Sequence, residues 1–141
     1  VYDEDLESMV QERQRDIQAI YTLNALQVSC GDPLVPTATA TVTDESGTRH
    51  VACSTGTGPV DAAYKAIDQI VEVHGDLQEF AVKAITRGID AIGEVTVRVQ
   101  AKDGKVYTGR GADNDIIVSS AKAYVNAINR MIQTARSKAG E

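Results

Sequence analysis

The chain carries one order of sequence patterns twice, and this duplication limits the folds open to it. In each half, alternating apolar residues predict strands, a turn signal predicts a hairpin, and a glycine-containing passage leads into a helical pattern. The hairpin glycines Gly47 and Gly104 lie 57 residues apart, and the Ala-Ile pairs at 66–67 and 127–128 lie 61 apart. We therefore expect an α+β fold of two βββα units related by a pseudo-twofold axis.

The same patterns predict the bounds of the elements. Alternation predicts strands over 21–29, 37–43, 48–55, 77–86, 94–100 and 105–110, and a period near 3.6 predicts helices over about 60–73 and 117–134. Another helical pattern covers 3–18. We expect a linker helix in residues 1–20, one domain over 21–136, and a tail over 137–141 that frays.

Composition and charge exclude several classes of protein. A net charge of −6 argues against a nucleic-acid partner and against binding to anionic membrane surfaces. No apolar run approaches the ~20 residues of a membrane span, and the first residues do not form a signal peptide. The missing initial Met predicts a fragment of a longer protein.

Cys30 and Cys53 are expected to be reduced and buried, which predicts a cytoplasmic location. The spacing of His and Cys predicts no metal site.

Each helix opening has a structural and a ligand-binding interpretation. A helix N-terminus presents free N–H groups and partial positive charge, and glycines before it let an anion approach the backbone. Gly56 to Asp61 also fits a plain strand-to-helix turn with Pro59 in the first helical turn. Asp61, Asp113 and Asp115 fit helix capping better than acid–base catalysis or metal binding.

Four sequence blocks carry a resemblance to a known family. The chain resembles the C-terminal regulatory domain of 2-isopropylmalate synthase over about residues 21–134, and residues 1–20 resemble the end of the linker before it. The blocks are Gly56-x-Gly58-Pro59-Val60-Asp61-Ala62 with Tyr64-x-Ala66-Ile67, Gly88-x-Asp90-Ala91-x-Gly93-x-Val95, Gly109-x-Gly111, and Asp115-Ile116-Ile117-x-Ser119-Ser120-Ala121-Lys122-Ala123. One departure is Asn114-Asp115 in place of a Ser/Thr-Asp pair, which preserves capping.

The resemblance implies a (βββα)₂ domain that forms a homodimer and binds leucine as a feedback inhibitor. The parent enzyme would condense acetyl-CoA with 2-oxoisovalerate in a catalytic barrel that requires a divalent metal. That barrel is a partner in the same chain, while the fragment itself is expected to have no catalytic residue, metal or cofactor. Two alternatives stay open within this interpretation: the isoleucine-sensing domain of citramalate synthase, and a purely structural dimerisation module. A stand-alone enzyme that uses the acidic cluster is a third.

The resemblance and the chemistry of leucine together predict an effector site. Its carboxylate is expected at the backbone around Gly56–Val60, and its ammonium near Asp113–Ile116. The isobutyl group is expected between apolar side chains where two subunits meet. The predicted effector-binding residues are Gly56, Gly58, Pro59, Val60, Asp61, Leu77, Phe80, Ala84, Val95, Asp113, Asp115 and Ile116.

Overall fold

The chain forms two units of three strands and one helix, as the duplication predicts. The computed structural model describes residues 20–31, 34–71, 75–87 and 90–139, and the helix expected over 3–18 lies outside them. The fold class is thereby confirmed as α+β with two βββα units. The elements are β1 (Thr22–Gly31), β2 (Leu34–Thr43), β3 (Arg49–Thr55), α1 (Pro59–Ile70), β4 (Asp76–Arg87), β5 (Asp90–Gln100), β6 (Val106–Asp113) and α2 (Ile116–Ala139).

Each unit has an antiparallel sheet in which the strands keep their sequence order. The first sheet is ordered β1-β2-β3 and the second β4-β5-β6, so β2 and β5 are central. Alternation decides which side of each central strand is buried: Ala38, Ala40 and Val42 on β2 are fully buried between partly exposed threonines. On β5 the fully buried residues are Val95, Val97 and Val99.

Several element bounds differ from the prediction. β2 begins at Leu34, three residues earlier than expected, and continues through Pro36. Proline is tolerated there because the pairing of β2 with β3 begins only at Thr37. α2 continues beyond the expected end at 134 as far as Ala139, into the segment expected to fray. The two hairpin turns are confirmed, with Gly47 and Gly104 in the left-handed region at φ values of 88° and 87°.

The two helices meet in one core that joins the halves. α1 packs on β2 and β3, while α2 packs on β5 and β6. Where the helices touch, the rings of Tyr64 and Tyr124 stack with centroids 4.5 Å apart. The Tyr64 hydroxyl donates to the Ser120 carbonyl at 3.2 Å, and the Tyr124 hydroxyl donates to Asp68. Burial raises the pKa of both phenols, so both tyrosines stay protonated and act as core residues, as predicted.

Two glycines let α2 lie against β6. A Cβ at Gly109 would collide with the Ala123 carbonyl oxygen and lie 2.5 Å from the Ala127 nitrogen, and one at Gly111 would lie 2.7 Å from the Ala123 nitrogen. Both glycines are buried within β6 rather than in a loop. The second glycine passage is therefore part of strand β6, and its glycines serve close packing of helix on strand.

We expect Gly109→Ala to destabilise the domain by about 1–3 kcal/mol or more, because α2 must move away from β6 to admit the methyl group. Gly58→Ala is the matched control, since Gly58 has extended backbone and no atom lies within 4 Å of its would-be Cβ. Urea unfolding followed by circular dichroism measures both free energies. Equal stability of the two variants would contradict the close-packing argument.

Candidate functional site

The opening of α1 is a helix N-terminus without a side-chain cap. Gly58 is the N-cap in extended conformation (φ −159°), and Pro59 occupies the first turn, but no side chain of the described residues makes a capping hydrogen bond. Helix geometry leaves the N–H groups of Val60 and Asp61 without intrahelical acceptors. These donors and the helix dipole make the opening of α1 suited to an anion.

Asp61 holds the loop that leads into α1. Its carboxylate accepts hydrogen bonds from the Thr57 N–H at 2.9 Å and the Thr57 hydroxyl at 3.3 Å, and it pairs with Lys65 at 3.1 Å. The Thr57 amide, followed by Lys65, holds the pKa of Asp61 below its usual value. Gly56 is packed tightly beside it, since a Cβ there would lie 2.5 Å from the Ala62 nitrogen. These contacts support the structural interpretation of Asp61.

The opening of α2 is capped and acidic, in contrast to that of α1. The Asp115 carboxylate accepts from the Ile117 N–H at 2.8 Å, which confirms the predicted capping by this residue. Asp113 accepts from the Asp115 N–H at 3.1 Å and pairs with Lys122 at 2.9 Å. The Asp115 amide, followed by Lys122, lowers the pKa of Asp113, so the Asp113 carboxylate is charged at neutral pH.

Ser119 ties the opening of α2 to the central strand of the second sheet. Its hydroxyl is fully buried and lies 2.9 Å from the Gly93 carbonyl and 3.0 Å from the Asp115 carbonyl. The Ile116 side chain lies over Gly93, where a Cβ would come within 2.9 Å of it. No local pattern in the sequence indicates this positioning role of Ser119, because it depends on the register of strands and helix.

Four exposed apolar side chains lie along β4 and at the start of α2, and we call them the apolar row: Leu77, Phe80, Val82 and Ile116, with exposed fractions of 39–46%. Leu77, Phe80 and Val82 lie on β4 opposite Val99, Val97 and Val95, and therefore on the side of the second sheet that α2 packs on. Val82 was not included in the predicted site.

The predicted site residues fall into two groups in one protomer. Gly56, Gly58, Pro59, Val60 and Asp61 lie at the opening of α1, and Leu77, Phe80, Val95, Asp113, Asp115 and Ile116 lie on the second sheet or at the opening of α2. Ala84 pairs with Gly93 in the backbone register, but its side chain lies outside the described part. Val95 is fully buried and can support a pocket only from beneath.

The contact between Tyr64 and Ser120 sets how far apart the two openings are. Tyr64 lies five residues after Pro59, and Ser120 lies four after Ile116. At 1.5 Å per residue, each opening is about 6–8 Å along its helix from this contact. The structure thus joins the helices near both openings.

The apolar row is exposed because the two helices cover the two edge strands unequally. α2 has 24 residues and packs on β1 of the first sheet as well as on β5 and β6, whereas α1 has 12 residues. Within the described part of the chain, neither helix packs on β4. The edge strand of the second sheet thus keeps an uncovered apolar face, while its counterpart β1 is covered by both helices.

Three further observations on the described residues concern the expected cysteines, metal ligands and membrane-spanning segments. Cys53 is a free thiol on the exposed side of β3, so the expectation that it is buried is wrong. In the described ranges, no three His, Cys, Asp or Glu side chains group together as metal ligands would. None of the described helices is long and apolar enough to cross a membrane.

Comparison with known proteins gives one family and many relatives of one kind. The sequence model of the LeuA allosteric (dimerisation) domain matches residues 1–132. The chain is 76% identical to the 2-isopropylmalate synthase of Olsenella uli over 141 residues, which are all of this chain and 28% of that protein. It is 48% identical to the 2-isopropylmalate synthases of Prochlorococcus marinus and Gloeobacter violaceus, over 94% and 93% of this chain and 24% of each relative. The chain therefore spans about a quarter of the length of these relatives.

The lowered pKa of Asp113 gives a test of its contacts by pH. Because the folded pKa lies below the unfolded value of about 3.9, Asp113 stabilises the fold above that pH, and this contribution is lost as pH falls through the folded pKa. We expect Asp113→Asn to lower the free energy of unfolding at pH 7 but not at the acidic end of a titration. The effect is small, because the side chain is 33% exposed and the ion pair is screened.

Thermal unfolding from neutral to acidic pH measures this difference. Asp103→Asn, in the β5–β6 hairpin, controls for the loss of one negative charge at the end of β6 away from the opening of α2. A difference between Asp113→Asn and the unmodified protein that stays constant across the titration would contradict the assignment.

Proposed function

The chain belongs to the LeuA allosteric (dimerisation) domain family, and from that membership we propose that it is the leucine-sensing and dimerisation domain of a 2-isopropylmalate synthase. In this proposal it inhibits the parent enzyme when leucine accumulates. The parent condenses acetyl-CoA with 2-oxoisovalerate in a catalytic barrel that holds a divalent metal. The domain itself is not catalytic, needs no cofactor and works in the cytoplasm.

The contrast between the two helix openings is the observation that carries the leucine assignment. The uncapped opening of α1 offers N–H donors to the carboxylate of an amino acid, and the charged Asp113 and Asp115 at the opening of α2 suit its ammonium. The apolar row lies beside the acidic opening, where the isobutyl group is needed. One zwitterion with an apolar side chain matches all three surfaces.

The uncovered face of β4 supports the homodimer. Leu77, Phe80 and Val82 are each about two-fifths exposed on an edge strand, which is an unusual surface for an isolated domain. In our proposal a second copy covers this row and brings its own α1 opening to the α2 opening of the first. The two groups of site residues would then meet across the interface, with a leucine between them.

Two other functions make different predictions. An isoleucine-sensing domain of a citramalate synthase would use the same surfaces, because one methyl position in an apolar pocket is worth only ~1–3 kcal/mol. A purely structural dimerisation module would use the apolar row but bind no amino acid. Titration of the domain with leucine, isoleucine and valine separates the three.

Calorimetric titration of the domain is expected to show leucine binding, and leucine at 100 times its dissociation constant should stabilise the fold by about 2.7 kcal/mol. We expect Gly58→Ala, which places a methyl group at the opening of α1, and Ala84→Phe, which fills the predicted isobutyl pocket, each to weaken binding at least ~10-fold. Gly104→Asn is the control: it lies in a distant hairpin, and Asn tolerates its positive φ. Unchanged leucine affinity in both site variants would place the pocket elsewhere.

Light scattering at micromolar concentration is expected to give twice the monomer mass for the unmodified domain. Val82→Lys should give monomers, because it places a charge in the apolar row that the partner would have to bury. Val51→Lys, at a 67% exposed valine on β3, is the matched control and should stay dimeric. A Val82→Lys variant that stays dimeric would contradict this assignment of the interface.

A further inference from the structure

The C-terminal half of α2 makes hydrogen bonds to the residues directly before β1. We call Ile20–Tyr21 the junction, because it lies directly before β1. Asn129 of α2 bonds both backbone groups of Tyr21: its amide nitrogen donates to the Tyr21 carbonyl at 2.9 Å, and its amide oxygen accepts from the Tyr21 N–H at 2.8 Å. The asparagine is only 5% exposed, so water competes little for these two bonds.

Two further contacts hold the junction and the β2–β3 hairpin to α2. Ile20 is 5% exposed and belongs to the core cluster that contains Ile132. Arg136, one turn further along α2, makes two hydrogen bonds to the Glu45 carboxylate in the β2–β3 hairpin, at 2.8 and 2.6 Å. The junction and the hairpin beside it are therefore fixed relative to the C-terminal half of α2.

The N-terminal half of the same helix borders the predicted effector site. Ile116 and Ser119 sit at the opening of α2, and Ser119 bonds that opening to β5. Asn129 lies thirteen residues after Ile116 on one uninterrupted helix, about 20 Å along its axis. Because a packed helix moves as a unit, a shift of the opening is carried to Asn129 with little loss.

From this arrangement, and on the basis of the function proposed above, we propose that Asn129 is the positioning residue that transmits leucine occupancy from the opening of α2 to the junction and so to the rest of the parent chain. The apolar contact of Ile20 can slide on its neighbours, because burial of apolar surface has no preferred direction. Two hydrogen bonds to the N–H and the carbonyl of one residue fix both its position and its orientation. Asn129 is therefore the contact through which a movement of α2 becomes a movement of the chain before β1.

The test uses the full-length synthase, with three measurements on each variant: activity without leucine, the leucine concentration for half-inhibition, and leucine affinity by calorimetry. Asn129→Leu preserves the approximate size of the side chain and removes both bonds. Asn126→Leu is the matched control, because Asn126 is an exposed asparagine on the same helix that bonds the Arg110 carbonyl of β6. Asn129→Asp keeps an acceptor for the Tyr21 N–H and loses the donor.

We expect Asn129→Leu to raise the half-inhibition concentration at least 10-fold while leucine affinity and uninhibited kcat and KM change less than 3-fold. Asn126→Leu should match the unmodified enzyme in all three measurements, and Asn129→Asp should lie between them. A merely structural role would lower the melting temperature and the activity without separating binding from inhibition.

Three outcomes would overturn the proposal. If Asn129→Leu is half-inhibited at the same leucine concentration as the unmodified enzyme, the transmission role alone is overturned. If Asn129→Leu does not fold, an unchanged half-inhibition concentration of Asn129→Asp overturns the same role. Parallel loss of leucine affinity and inhibition would assign Asn129 to the fold of the binding site. An unmodified enzyme that neither binds leucine nor responds to it would overturn the proposed function itself.

Discussion

The close approach of α2 to β6 is the constraint on which the rest of the structure depends. Gly109 and Gly111 have no side chains between strand and helix, and Ala123 faces them, so the helix backbone lies against the strand. This contact fixes the height of α2 above the second sheet. It thereby places Ile116 over Gly93 at the start of the helix and Asn129 against Tyr21 thirteen residues further along it. Larger residues in β6 would lift both contacts together.

The duplication in the sequence leads to two units that are alike in topology and different in chemistry. The opening of α1 is uncapped, whereas Asp115 caps the opening of α2 and Asp113 adds a second negative charge beside it. The helices also cover the two edge strands unequally: both pack on β1, and neither packs on β4 in the described part of the chain. A symmetric pair of units would offer two equal ends to a ligand. The difference between them suits a ligand with a positive and a negative end.

Local patterns in the sequence were enough to predict the topology, the hairpin turns and the capping by Asp115, because each depends on residues close together in the chain. The role of Gly109 and Gly111 could not be predicted in this way, since a loop glycine and a glycine under a helix look alike until strand and helix are placed together. Val95 was predicted to line a pocket, yet it is fully buried because β5 is central and α2 lies above it. The bond from Tyr21 to Asn129 joins residues 108 apart and leaves no local pattern.

Folding of this domain has to bring together two residues that lie 108 apart in the chain, because Tyr21 pairs with Asn129. The hairpins and helices form from neighbouring residues, whereas this contact closes a long loop at a cost in entropy. It is therefore expected to form late in folding. Once formed, it lies beside Ile20 and Asn129, which are each 5% exposed, so the Tyr21 amide is expected to exchange its hydrogen only when β1 separates from α2.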